Sequence, residues 1–368
     1  MHSERLARVR AAMVADSIDV CLLSVGPDLP WLSGYEAMPL ERLTMLVVPC
    51  DGEAVLVMPR LEVPRVVERP EVFSIRSWGE TEDPVAIVAG LIGSAAVAAI
   101  GNHTWAQFLV GLQRQLPATR FTTTSEVIGP LRAVKDAAEV QALRRAAASV
   151  DRIAAALQAG DIALVGRTEA EVSADLGRRI LAEGHDRVNF AIVAAGANAA
   201  SPHHEPGRRV IGPGEVVLCD FGGTMMADGG AGYCSDITRC VVTGEIPAEV
   251  AEVYEVLHAA QRAGVQAGVV GTPCEDIDAA ARAVIDDAGL GEFFVHRTGH
   301  GIGVEAHEDP YIVSGNTVPL VAGHAYSVEP GIYLPGRFGL RLEDIVVATD
   351  HGPDSLNRVD HRLHPVDA

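Results

Sequence analysis

The sequence predicts a two-domain α/β protein: a small α/β domain, then a larger α+β domain whose antiparallel sheet is flanked by helices. Three observations predict it. Short β-rich runs alternate with helical patterns over the first third of the chain. A long helical pattern follows a Gly-Pro break near the end of that third. The remainder alternates capped helices with strand-like runs. A length of 368 residues is also that of about two domains.

The chain opens on "MHSERLARVRAAMVADSIDV", which puts Leu6, Val9 and Met13 on one face of an amphipathic helix. Bases there are followed by no uninterrupted apolar segment, so it does not read as a signal peptide. "DVCLLSV", "LTMLVVP", "EAVLVMP" and "AAVAAIG" read as strands of the first domain, residues 1–125. The second domain, 126–368, begins with "IGP" and a helix running from Asp136 to Gly160. Two later helices share one start: Thr168 with Glu171, and Thr272 with Glu275. Each spacing is that of a capping box, and the second adds Pro273 at the first helical position. Each helix stops at a glycine and is followed by an extended apolar stretch, which hints at an internal duplication. "RVNFAIVAAG", "EVVLCDFGG", "GYCSDITRCVVTG", "AYSVEPGIY" and "LRLEDIVVAT" read as strands.

Composition narrows the function. A net charge of -20, from 49 acids against 29 bases, argues against nucleic-acid binding and against docking on anionic membrane. No apolar run approaches the roughly 18 residues of a membrane span. The six cysteines form no CxxC pair and read as scattered reduced thiols, with a cytoplasmic location as the default.

Chemistry enters through acids in unexpected places. A buried carboxylate is costly and acids avoid strand interiors. Yet Asp220 ends "EVVLCD", Asp236 sits in "YCSDITRCVV", Glu329 follows "AYSV" and Glu343 sits in "LRLEDIVV". One such acid is ordinarily a cap or an ion pair. Four on separate runs, with a histidine cluster in "HRTGHGIGVEAHEDP", need a cation to offset their repulsion. Four carboxylates and one imidazole are a hard ligand set suited to Mn²⁺, Co²⁺ or Zn²⁺. Two ions bridged by carboxylates hold a water, lower its pKa and polarise a carbonyl, which is the chemistry of metal-assisted hydrolysis. "GHGIG" lacks the strand and GK[ST] context of a phosphate loop, so its glycines read as room for close backbone approach. Period-two alternation turns Cys219 away from Asp220, while Cys234 shares the face of Asp236 as a redox-sensitive neighbour.

These motifs, in this order, resemble the pita-bread metallopeptidases: methionine aminopeptidase, aminopeptidase P and prolidase, and most closely the proline-specific members. "WLSGY" with "ERLTMLVVP" resembles their N-terminal creatinase/prolidase-like domain. "LRAVKDAAEVQALRRAA" resembles their linker and first catalytic helix. "FAIVAAGANAASPHH", "DFGG", "GYCSDITR", "TGHGIGVEAHE", "VEPGIY" and "GLRLEDIVVAT" follow in the family's order. The resemblance implies a C-terminal pita-bread domain and two divalent ions per subunit, Mn²⁺ first, with Co²⁺ or Zn²⁺ as alternatives. It implies a homodimer. Asp220, Asp236, His300, Glu329 and Glu343 would be the metal ligands, with Asp236 and Glu343 bridging and Glu329 also the general base. His203 and His307 would be catalytic histidines on the substrate side, and His296 would line a proline pocket. Tyr333 and Arg341 would contact substrate or the residues behind it. The implied reaction is hydrolysis of the bond between an N-terminal residue and proline, in dipeptides or longer peptides, by water activated between the two metals.

One departure is plain. "FGGTMMADGGAGYCS", between Asp220 and Asp236, exceeds the family's usual connection, and "MMADGGAG" would extend a hairpin loop. Loop closure costs little more with length, so both acids can still meet. Asp228 stands as an alternative to Asp220, although the strand run and the spacing from His203 favour Asp220. The remaining histidines, among them His204, His258, His324, His351, His361 and His364, read as surface residues. Two other functions stay open: a related C–N hydrolase acting on a small non-peptide amide, and a binding protein that kept the scaffold without catalysis.

Overall fold

The structure, a computed structural model, describes residues 1–367. Two compact units emerge: Met1–Arg132 with Ala227–Gly232, and the remaining described residues.

The first unit is built on a six-stranded mixed sheet. Its strands are β1 (Val20–Leu23), β2 (Met45–Pro49), β3 (Val55–Pro59), β4 (Ser74–Trp78), β5 (Val97–Ile100) and β6 (Arg120–Thr123), ordered β4-β3-β2-β1-β5-β6. Helices α1 (His2–Ala15), α2 (Asp28–Ser33), α3 (Pro84–Ile92) and α4 (Ala106–Gln115) accompany it. As expected, α1 buries Leu6, Val9 and Met13. The edge strands β4 and β6 were not among the expected runs. Both are half-exposed, with arginines and hydroxyl residues where a central strand would be apolar, so they lack the hydrophobic signal.

A short helix, α5 (Gly129–Ala133), leads to α6 (Ala137–Gln158). Asp136 accepts from the Glu139 amide and Glu139 returns the bond, a capping box. One face of α6 buries Leu143, Val150, Ile153 and Leu157; each such side chain stabilises by roughly 1.5–3 kcal/mol at most.

Beyond α6 the second unit has two halves built alike. In the first, α7 (Glu169–Ala182) precedes a sheet of β7 (Arg187–Ala195), β8 (Val216–Met226), β9 (Gly232–Cys234) and β10 (Ile237–Thr243). In the second, α8 (Ala248–Ala267) and α9 (Cys274–Asp287) precede a sheet of β11 (Gly299–Gly301), β12 (Glu308–Ile312), β13 (Ala325–Val328), β16 (Asp344–Thr349) and β17 (Gly352–Ser355), with β14 (Gly331–Leu334) and β15 (Phe338–Arg341) as a separate ribbon. β18 (His364–Val366) joins β10 in parallel, while β7–β8, β8–β10, β11–β12, β11–β13, β13–β16 and β16–β17 pair antiparallel.

The two matching helix starts are real, but only one is a capping box. Thr168 and Glu171 cap α7 reciprocally. At α9 the first residue is Cys274 and no side chain caps it. Its first amides instead donate to neighbouring carbonyls, Cys274 N–H to Val318 O at 3.0 Å and Glu275 N–H to Asn316 O at 2.9 Å. With those donors satisfied, Thr272 has no orphan amide to serve. At α7 the ladder lies one residue earlier relative to the Thr–Glu pair: Glu169 and Ala170 donate to Arg209 and Gly207, which leaves the Glu171 amide for Thr168.

The long connection extends β8 to Met226 and returns as β9. Its tip, Ala227–Gly232, belongs to the first unit, where Gly229 O accepts from Arg69 Nη2 at 3.2 Å and lies 3.1 Å from His2 Nε2.

Candidate active site

Strand alternation sets the first two acids. Val217, Cys219 and Phe221 of β8 point into one core, and Val216 and Leu218 into the other. Asp220 shares the second face and Cys219 faces away, as the alternation requires. Thr238 of β10 lies directly opposite Asp220 in register. Asp236 stands just before β10. His300 is the centre of β11, between two glycines. A Cβ at Gly299 would lie 1.9 Å from Ser327 O, and one at Gly301 2.2 Å from Asp309 O. Neighbouring backbone thus approaches on both sides of His300 as only glycine permits.

Three acids expected inside strands sit instead at breaks between them. Asp236 separates β9 from β10, Glu329 separates β13 from β14, and Glu343 separates β15 from β16. Pro330 lacks an amide for the ladder and ends pairing after Glu329. The breaks free these acids from the sheet's alternation.

All four acids and His300 line one cavity of about 460 Å³, together with His203, His296, His307, Arg297 and Arg341, and with Phe190, Ile192 and Pro202 as apolar wall. Asp228 is not among its lining residues. Ligand atoms of Asp236, His300 and Glu343 lie within 4.8 Å of one another. His300 Nε2 is 3.2 Å from Glu329 Oε1 and 3.8 Å from Asp236 Oδ2. His300 Nδ1 lies 3.1 Å from Gly301 O; donation there leaves Nε2 facing the acids. Glu343 accepts from Thr238 Oγ1 at 2.7 Å, and Glu329 from Ser327 Oγ at 3.0 Å.

Arg341 joins the two sides. Its guanidinium donates to Asp220 Oδ2 at 2.5 Å, Thr238 Oγ1 at 3.1 Å, Pro202 O at 3.1 Å and Tyr333 OH at 2.8 Å. The Tyr333 hydroxyl lies 2.8 Å from His296 Nε2, behind the cavity wall. His296 also meets Phe294 edge-on, with centroids 5.2 Å apart. The rings of His300 and His307 are 4.0 Å apart.

The electrostatics point to what the site would hold. Burial, then repulsion from neighbouring acids, pushes Asp236 and Glu343 well above the usual carboxylate range. Asp220 is raised by burial despite Arg341. Burial opposes charge on Glu329 too, but the hydrogen bond and field of His300 outweigh it and hold that carboxyl at about 2. Burial and the nearby His300 lower His307 to about 4. Among the described residues, Asp220 Oδ1 is buried without a hydrogen-bond partner. Crowded carboxylates, an orphaned oxygen and an imidazole with Nε2 turned toward the acids fit a hard divalent cation. No second group of this kind occurs among the described residues.

Some contributors escaped the sequence. Thr238 lies two residues beyond Asp236, and period-two reasoning about "SDIT" would have found it. Ser327 and Arg297 carried no signal. His204, expected at the surface, instead bonds the buried Glu169 at 2.8 Å. His324 is buried and lowered to about 4, chiefly by that burial. His361 bonds the buried Asp344 at 2.5 Å.

Fold and site together define a metal-dependent peptidase with a creatinase/prolidase-like first domain and a pita-bread second domain. A family model described as metallopeptidase family M24 matches residues 141–350, and one for the creatinase/prolidase N-terminal domain matches 5–134. The chain is 42% identical over 367 residues to a probable dipeptidase PepE of Mycobacterium tuberculosis, covering 99% of this chain and 96% of that protein. Among solved structures it resembles dipeptidase PepE from Mycobacterium ulcerans, with TM-score 0.92, 42% identity, and 100% and 98% of the two chains covered. A prolidase from Thermococcus sibiricus gives TM-score 0.92 at 34% identity, covering 100% and 99%. This chain belongs to metallopeptidase family M24.

Proposed function

We propose that the protein is an Xaa-Pro dipeptidase, hydrolysing the bond between an N-terminal residue and proline. The observation that carries this reading is one cavity joining five oxygen and nitrogen donors to three histidines and a guanidinium that has no ionic partner among the described residues. Relatives described as dipeptidase and prolidase support it. Residues 126–368, less the stretches 126–132 and 227–232 that group with the first unit, form the catalytic part.

Asp220, Asp236, His300, Glu329 and Glu343 would hold two divalent ions, Mn²⁺ before Co²⁺ or Zn²⁺, which supply an acidified water and polarise the scissile carbonyl. Glu329, oriented by Ser327, takes the proton from the attacking water. His307, kept neutral at pH 7 by its lowered pKa, relays that proton to the leaving proline nitrogen. The water's oxygen ends on the carbonyl carbon and its proton on the amine. His203 faces the oxygen that gains charge. His296, braced by Phe294 and Tyr333, walls the proline ring. A homodimer acting in the cytoplasm completes the reading.

Dipeptide choice follows from Arg297. Arg341 is fully committed to neighbours. Arg297 stacks 4.4 Å over Tyr311, and among the described residues its guanidinium has no hydrogen-bond or ion-pair partner. It is placed to receive the free carboxylate of a dipeptide. A charge-assisted bond of about 1.5–3 kcal/mol corresponds to roughly 10- to 100-fold in affinity. Arg297→Gln is therefore expected to raise KM for Ala-Pro by about that factor while leaving KM for Ala-Pro-amide nearly unchanged. Equal losses on both substrates would remove this role.

The activity itself is checked with metal-stripped enzyme on Ala-Pro, Ala-Pro-Ala and Ala-Ala, with and without added Mn²⁺ or Co²⁺. Metal-restored cleavage of Ala-Pro is expected. No metal-dependent cleavage of either proline peptide would sink the reading.

A further inference from the structure

Glu169, the first residue of α7, is wholly buried, yet no step of the hydrolysis uses it. A buried carboxylate persists only when its oxygens are satisfied. All partners of its carboxylate come from one segment. The Ala195 amide donates at 2.9 Å, the Asn198 side chain at 2.9 and 3.2 Å, and the Gly207 amide at 3.3 Å, while His204 Nε2 lies 2.8 Å away. These bonds outweigh burial and keep the carboxyl below its ordinary value. The segment runs from the end of β7 toward β8 and carries His203.

His203 has no hydrogen-bond partner of its own among the described residues, and its side chain lines the cavity from an exposed position. Its two chain neighbours are fixed. Pro202 O accepts from Arg341, and His204 is bound to Glu169. The imidazole therefore owes its place to anchors one residue to either side.

The carboxylate is not needed to start the helix. At α9 the same pair of amide-to-carbonyl bonds begins the helix, and the equivalent first residue is Cys274, buried, without a charge. Glu169 is thus additional to the shared helix start and directed at the loop that only the first half carries.

We propose that Glu169 and His204 are positioning residues, a buried carboxylate–imidazole pair that holds residues 195–207 so that His203 faces the substrate. This rests on the hydrolytic reading of the cavity. Misplacing a reacting group by about 1 Å can cost on the order of 100-fold. His204→Ala is expected to lower kcat on Ala-Pro about 10- to 100-fold with a smaller change in KM and with bound metal retained. His204→Gln, whose amide nitrogen reaches the position of Nε2, should recover most of the rate. The decisive comparison is a double-mutant cycle. In a His203→Ala background, His204→Ala should cost less than about twofold, because it acts through the residue already removed. Equal costs in both backgrounds, or an unchanged kcat in His204→Ala alone, would overturn the proposal.

A second readout needs no turnover. In ¹⁵N-histidine spectra of the full chain, the His203 resonance, identified by its loss in His203→Ala, should shift and broaden in His204→Ala and return in His204→Gln. An unmoved resonance would overturn the positioning role whether or not proline peptides are cleaved. Failure of wild-type enzyme to cleave them would instead remove the hydrolytic reading alone.

Discussion

Asp236→Asn is expected to abolish stoichiometric metal binding and lower Ala-Pro hydrolysis at least about 1000-fold, while making the metal-stripped protein more stable. The first half follows from losing a central ligand, since several kcal/mol of charge stabilisation converts to about that factor. The second follows from crowding. In the stripped protein Asp236 and Glu343 are held well above their ordinary pKa by burial and by each other's neighbourhood of acids. A carboxyl whose folded pKa exceeds its unfolded one binds more protons in the fold. Stability is then fully present below the unfolded value, about 4, and falls as pH rises from there toward the folded value. The wild-type stripped protein should therefore lose stability with rising pH across this window, and Asp236→Asn should lose less. Adding Mn²⁺ should reverse the order. At one hundred times Kd it stabilises the wild type by about 2.7 kcal/mol and does nothing for the variant. Thermal unfolding from pH 5 to 8, with chelator or Mn²⁺, checks both arms. A stripped variant weaker than stripped wild type at pH 8 would refute the crowding argument.

Arg341→Met should be the most destabilising single change at the site. Arg341 is 2% exposed and serves four acceptors, including the carboxylate of Asp220. Removing one member of a buried charge pair leaves the other uncompensated, at a cost of about 3–5 kcal/mol. Asp220 has the further handicap that its Oδ1 already lacks a partner. The loss should be larger in chelator than in Mn²⁺, because a cation on Asp220 replaces part of what Arg341 supplies. Denaturant unfolding measured both ways tests this. A loss below about 1 kcal/mol in chelator would show that Asp220 is not held as a charge by Arg341. Arg341→Lys keeps the charge without the fork and should fall between.

What the sequence revealed depended on how local each signal was. The long helix α6 was legible because its cap, its apolar stripe and its glycine stop are all within the segment. Alternation placed Cys219 and Asp220 on opposite faces because β8 has both faces buried. The edge strands β4 and β6 gave no pattern, since a half-exposed edge tolerates Arg76 and Arg120. At the start of α9, Thr272, Pro273 and Glu275 fit a capping box by spacing, and the structure differs. The amides were in fact taken by carbonyls some forty residues on, which no local motif reports. Glu329 and Glu343 were recognised as unusual acids, but the strand breaks that free them were hidden within "AYSVEPGIY" and "LRLEDIVV". Arg297 and Glu169 had no signal at all. One matters for being unpaired and the other for bonds to residues 26 to 38 positions away.

The two similarly built halves divide the donors between them. Asp220 and Asp236 come from the sheet of β7, β8 and β10. His300 and Glu329 come from the sheet and ribbon of the other half, and Glu343 arrives only where β15 gives way to β16. Neither half holds a full complement. The arrangement works as a coincidence lock: a chain still being made, or one half-unfolded or nicked between the halves, owns pieces of the hydrolytic machinery but never a working set. On the proposed reading, peptides would be cleaved only while both halves stand closed around the cavity.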